Sequence, residues 1–234
     1  MEYFVVIDFE FCKIPPQWMV KGKKFTDEII QIGAVMMDEE HNELGRFNRL
    51  VRPEYGTVSP QIRRFTGISN EMLKEEATLA SVLEDFASWI DGREVSAVSW
   101  SMSDHTQLMR ETLVKNIHID CIDRMLGRWI DCQAIFDEKL GTTKPVSLNE
   151  ALTISDIVFE GRAHDGLADA VNTARLYRRL CLEPDFRFNE TYLESKKDTP
   201  VEPLAFSMAS LFAGLDLSGL DLSGQDLSEL PMNA

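Results

Sequence analysis

Short apolar runs separated by polar and Pro/Gly-containing breaks mark the start of the chain. Residues 3–9 (YFVVIDF) are short, apolar and rich in β-branched and aromatic side chains, the pattern of a buried strand. A loop is expected over 12–27, where Pro15, Pro16 and Gly22 interrupt the pattern. Residues 29–37 (IIQIGAVMM) read as a second strand and 44–51 (LGRFNRLV) as a third, antiparallel to it through the DEEHNE turn. Pro53 and Gly56 break the chain, and short capped helical turns follow over 59–76. Leu79, Val82, Leu83, Phe86 and Ile90 recur at helical spacing. Val95, Ala97 and Val98 predict a fourth strand, and 103–115 a helix with Leu108 and Leu113 inward. A further helix falls between Trp129 and Leu140. Ser147 with Glu150 forms a capping box for 148–154. A last helix runs over 166–182 and stops before Pro184. This order predicts an α/β layer fold, a mixed central sheet flanked by helices.

Beyond Pro184 the character changes. Residues 183–234 carry ten acids and three bases, a net charge of −7, which leaves −8 of the total −15 on residues 1–182. The expected organisation is a domain over 1–182, a linker over 183–203, with DTPVEP at its end, and a short tail over 204–234. In the tail, AGLDL-SGLDL-SGQDL-SEL places Leu217, Leu222 and Leu227 five residues apart and resembles the pentapeptide repeats. About three such units cannot bury a continuous core alone, so the tail is expected to dock or to stay unfolded, or else to serve as a mimic or partner-binding element.

The acidic balance argues against a protein that coats nucleic acid, because phosphate binding needs clustered cations. It leaves room for an enzyme that grips a short strand end through divalent metals held by acids. No run approaches the ~18 apolar residues of a membrane span, so no membrane partner is expected. The start, MEYFVVIDFE, lacks a basic leader and reads as a strand rather than a signal peptide. Four cysteines scattered without a CxxC pair suggest idle thiols in a reducing cytoplasm rather than zinc ligands or disulfides.

Five residues attract chemical interest. Asp8 and Glu10, two apart on a strand, share one face. Like charges so close repel, and a divalent cation between them would resolve this; a strand end reaching solvent, with one acid capping a helix, is the plain alternative. Asp104 follows an apolar strand, where sheet enzymes place ligands, but Ser101-x-x-Asp104 is also a helix-capping signature. His164 and Asp169 are five apart, about 140° on a helix, so they cannot share a helical face. Gly161 and Gly166 suggest a loop around His164, with Asp169 in the first turns of the next helix; a surface histidine and a dipole-stabilising acid would look the same.

Taken in order, FVVIDFEF, AVSWSMSD and AHDGLADAVNTA resemble the three motif blocks of the DEDDh 3′→5′ exonucleases, the superfamily of RNase T and the DNA polymerase III epsilon proofreading subunit. The likeness runs from about residue 3 to 182, takes in EIIQIGAV, RRFTGIS, WIDCQAIF and SLNEAL, and is nearest the ERI-1-like and KapD-like branch. Ser101 stands where the family often has Gly, the loop Cys12–Thr26 is longer than in minimal members, and the tail lies outside the likeness. The resemblance implies an RNase H-like fold and a catalytic set of Asp8, Glu10, Asp104, His164 and Asp169. It implies attack at the last phosphodiester of a single-stranded RNA or DNA 3′ end, releasing nucleoside 5′-monophosphates. Two Mg²⁺ or Mn²⁺ ions about 3.5–4 Å apart suit that chemistry. Asp8 would bridge them, with Glu10 and Asp169 on one side, Asp104 on the other, and His164 as general base. Asp131 in WIDCQ would at most support the site.

Substrate contacts are expected from Phe11 if the strand ends there and the ring is free to stack, from Lys13, Lys23 and Lys24 in the basic loop, and from Arg64 before Thr66-Gly67-Ile68. Phe9 reads as core, and His41, His105 and His118 as surface or structural. A catalytically silent nucleic-acid or protein binding module on the same fold is the competing reading. RNA is favoured over DNA only by the branch resemblance, and the oligomeric state is not indicated by the sequence.

Overall fold

The computed structural model describes residues 2–19 and 25–197. Lys21, Lys23, Lys24, the last residues of the expected linker and the whole repeat-like tail lie outside those residues. A five-stranded sheet runs in the order β3 (Glu43–Leu50), β2 (Asp27–Met37), β1 (Tyr3–Lys13), β4 (Val95–Ser99), β5 (Trp129–Asp131). The first three strands form an antiparallel meander, while β4 pairs parallel to β1 and β5 parallel to β4. The helices are α1 (Pro60–Thr66), α2 (Asn70–Leu73), α3 (Leu79–Ile90), α4 (Ser103–Lys115), α5 (Asp120–Leu126), α6 (Cys132–Leu140), α7 (Leu148–Ile154), α8 (Gly166–Leu182) and α9 (Glu190–Lys197).

Several expectations change. β1 does not end at Phe9; it continues to Lys13, because Phe11, Cys12 and Lys13 pair with Ile29, Glu28 and Asp27 of β2. The apolar alternation simply persists through F-E-F-C. Within the span expected as linker, residues 190–197 are helical as α9, and Tyr192 and Leu193 pack against the main core. Leu113 points outward and is 70% exposed. The Ser147 hydroxyl does cap α7, accepting from the Glu150 N–H.

Alternation along β1 determines where a site can lie. Phe4 and Val6 belong to the main core, with Val35 and Met37 of β2 and the inner face of α8. Cys12, on the same face of β1, belongs to a smaller core with Ile30, Val58, Ile62, Ile68 and Leu73 beneath α1 and α2. Between the two cores, still on that face by period-2 geometry, stand Asp8 and Glu10. The sheet's apolar surface is thus interrupted at one place by two carboxylates.

Candidate active site

Four sequence-distant segments meet at Asp8 and Glu10. Asp8 pairs across the ladder with Gly33, and Glu10 with Gln31. A Cβ on Gly33 would lie 2.1 Å from the Gly166 carbonyl carbon and 2.2 Å from Leu167 N, so the start of α8 rests directly on β2 where only glycine leaves room. Gln31, 4% exposed, accepts from the Gly166 N–H at 3.1 Å and donates to Asn48 Oδ1 at 3.0 Å. The first turn of α8 is seated by these contacts, and Asp169 lies in that turn.

The loop before α8 is tied down at both ends. Asn172 accepts from Glu160 N at 2.9 Å and donates to Glu160 O at 2.8 Å. Asp165 caps α8 by accepting from Ala168 N. His164 has a left-handed backbone, φ 63°, and donates its N–H to Asp169 Oδ2 at 2.9 Å. That left-handed turn lets residues 140° apart on a helical wheel converge, as the loop reading anticipates. Asp104 sits in the first turn of α4, and its Oδ1 accepts from Phe9 N at 2.9 Å.

One donor atom from each of Glu10, His164 and Asp169 lies within 4.8 Å of the others. The sequence expectation casts His164 as a base only; here its ring lies near enough to two acids to share an ion with them. Glu10 Oε2 is buried without a hydrogen-bond partner among the described residues. An orphaned carboxylate oxygen in that position is costly unless a cation or proton meets it.

Electrostatics point the same way. Burial, then repulsion from Asp169, Asp104, Glu10 and Asp165, holds the Asp8 carboxyl well above its ordinary range. Glu10 is raised by burial and by Asp169, Asp104 and Asp165, against a small lowering by Arg162. Burial pushes both Asp104 and Asp169 up to about 7. His164 is lowered by burial and by the Arg162 charge. Oxygen donors crowded until they hold protons near neutrality suit hard divalent cations, which replace those protons. Asp8, Glu10, Asp104 and Asp169 therefore fit such ions.

This crowding of acids makes stability depend on pH. In the folded, metal-free protein Asp104 and Asp169 keep protons up to about pH 7, whereas their ordinary value is 3.8. Their contribution is fully present below the ordinary value and is lost as pH rises through about 7. The melting temperature of EDTA-treated protein should rise as pH falls from 8 to 5.5, and Mn²⁺ should raise it more at pH 8 than at 5.5. A scanning-fluorimetry series over these conditions checks both.

The expected substrate contacts fare differently. Phe11 is 5% exposed and packs edge-on against Phe9 at 6.4 Å, so it offers no stacking face; the continued strand buries it. Lys13 is ion-paired with Asp27 at 2.8 Å. Arg64 is exposed, 5.7 Å over the Phe65 ring, and that ring stands 5.6 Å from the His164 ring. Asp131 caps α6 by accepting from Ala134 N, a structural role. His41 stacks on Phe4, His105 contacts Leu126 O and His118 lies near Asp123. Sequence reasoning missed Arg162, whose Nη2 donates to Phe65 O at 3.2 Å, and Gln31. The strand register opposite Glu10 is the signal that would have singled out Gln31.

Comparison with known proteins identifies the family and the fold. Residues 5–177 match the RNase T family, described as Exonuclease. The chain is 30% identical over 200 residues to ERI1 exoribonuclease 2 of Xenopus laevis, covering 76% of this chain and 28% of that protein. It is 28% identical over 203 residues to ERI1 exoribonuclease 2 of Homo sapiens, covering 75% and 28%. The alignments thus span just over a quarter of these relatives' length. Among solved structures, the nuclease domain of 3′hExo, a DEDDh family member bound to rAMP, superposes with a TM-score of 0.60 at 24% identity, covering 80% of this chain and 96% of that one. A 3′-exonuclease solved in recognition of a histone mRNA stem-loop gives 0.64 at 22%, covering 80% and 66%. These two likenesses establish the RNase H-like fold.

Proposed function

The chain belongs to the RNase T exonuclease family, and we propose that it is a divalent-metal-dependent 3′→5′ exonuclease that acts on single-stranded RNA and releases nucleoside 5′-monophosphates. The observation that carries this reading is the meeting of Asp8, Glu10, Asp104 and Asp169 around a buried Glu10 oxygen without a hydrogen-bond partner among the described residues, with the His164 ring beside them. Divalent cations held by the four acids would supply charge relief at the scissile phosphate and lower the pKa of the attacking water.

The protein's own residues then have separable tasks. Asp169 holds the His164 backbone by the 2.9 Å bond to its N–H, which aims the imidazole. The lowered pKa keeps that imidazole neutral near pH 7, ready to take the proton from attacking water. Asp104 is itself tied by Phe9 N to the strand that carries Asp8 and Glu10. RNA as substrate rests on the ERI1 exoribonuclease relatives.

The test is incubation of the purified chain with 3′- and 5′-labelled single-stranded RNA and DNA, in Mg²⁺, Mn²⁺ or excess EDTA. Mononucleotide release from the 3′ end of RNA, absent in EDTA and blocked by a 3′-phosphate, is expected. Cleavage of a circular strand, or full hydrolysis in EDTA, would overturn the reading.

A further inference from the structure

Asp104, Gln107, Glu111 and Lys115 lie three, four and four residues apart, which makes one stripe along α4. All four side chains reach the β1–β2 pair. Asp104 accepts from Phe9 N. Gln107 Nε2 donates to Asp27 O at 2.8 Å and to Glu111 Oε2 at 2.9 Å. Glu111 Oε2 also accepts from Ile29 N at 2.9 Å. Lys115 Nζ lies 2.6 Å from Glu28 Oε1 and 2.9 Å from Glu111 Oε1, and both glutamates are fully buried.

The strand these contacts grip is irregular there. Pairing passes from Glu10↔Gln31 straight to Phe11↔Ile29, leaving Ile30 as an extra residue in β2. A bulge of this kind bends its strand and re-aims neighbouring side chains. The N–H donated to Glu111 is that of Ile29, the first residue to pair again beyond the bulge. Apolar side chains of similar size would also pack the helix, and a buried ion pair is weak evidence of added stability. What they would lack is an acceptor for that N–H.

We infer that Glu111 is a positioning residue for the metal centre: it pins the bulge opposite Glu10 and, along the same stripe, holds α4 where Asp104 reaches Phe9. The inference rests on the metal-dependent reading above, but its test needs no turnover. Full-length wild-type protein, Glu111→Leu and Glu111→Gln are titrated with Mn²⁺ alone by calorimetry, at a temperature where circular dichroism finds each folded. Glu111→Leu should bind Mn²⁺ about 10–100-fold more weakly, the usual effect of losing an outer support of a metal site. Glu111→Gln keeps a carbonyl acceptor for Ile29 N and should bind nearly as wild type does.

If Glu111→Leu does not fold, the double variant Glu111→Leu/Lys115→Met, which removes the acceptor for Ile29 N without leaving Lys115 beside an apolar residue, is read in the same way and should also weaken binding. A folded Glu111→Leu with wild-type affinity would overturn the inference, as would a Glu111→Gln as weak as Glu111→Leu, or a double variant with wild-type affinity where that variant is the one read. If the wild type binds Mn²⁺ but cleaves no RNA, the exonuclease reading fails while this inference is still decided.

Discussion

Replacing Asp8 by Asn is expected to lower the rate of cleavage at least ~10³-fold, more than about 4 kcal/mol of transition-state stabilisation, without unfolding the protein. Asp8 projects from the middle of β1, between strands whose cores on either side are complete without it. Its carboxyl feels Asp169, Asp104, Glu10 and Asp165 together, the widest set of acid neighbours in the site. The amide keeps size and shape but no longer supplies the charge that balances a divalent ion. It also removes one member of a mutually repelling cluster, so in EDTA at pH 8 the variant should melt at a higher temperature than the wild type. Single-turnover rates on a labelled oligonucleotide, with melting curves in EDTA, test the pair of effects. A variant that loses activity and also melts lower would mean that Asp8 serves the fold rather than the chemistry.

His164→Ala is expected to lose ~10²–10⁴-fold in kcat, the range for removing a general base, with Mn²⁺ affinity little changed. The imidazole is half-buried, packed beside Phe65, and held by a backbone bond that alanine retains. The pH profile carries the sign. Burial and Arg162 lower the imidazole pKa, so the neutral base is already present below the ordinary 6.5. The wild-type rate should climb with pH through a point below 6.5 and then level off, and the variant should lack that acid limb. Because the ring lies near enough to Glu10 and Asp169 to share an ion with them, the calorimetric titration matters as much as the rate. Loss of a Mn²⁺ site in the variant would reassign His164 from base to ligand.

The strands and the acids of the site are legible in the sequence because a strand's period of two is a strong code. It puts Asp8 and Glu10 on one face from residue spacing alone, whereas in β2 the extra residue Ile30 interrupts it. Helix α4 is harder to read. Leu108 is buried as expected, but most of the inward face is polar, Asp104, Gln107, Glu111 and Lys115, while Leu113 faces out. Apolar periodicity assumes that a helix packs on side chains, but part of α4 packs on strand backbone, whose N–H and C=O groups need polar partners. The same blindness hides Gly33. EIIQIGAV is recognisable as a strand, yet the reason for its glycine, a helix start resting on it, resides in a contact 133 residues away along the chain. Phe11 misleads for a simpler cause: the loop's prolines come later than Phe9, and pairing with β2 extends through Lys13.

The polar stripe also separates two kinds of motion in the amides it holds. The N–H groups of Phe9 and Ile29 belong to strands, but side-chain carboxylates of a helix accept from them. Their exchange with deuterated solvent is therefore coupled to α4 as well as to the ladder. An opening in which α4 lifts, while the strands stay paired, would expose these two amides and leave their neighbours protected, a local event of lower free energy than global unfolding. Phe9 and Ile29 are built-in reporters of whether the helix bearing Asp104 is seated.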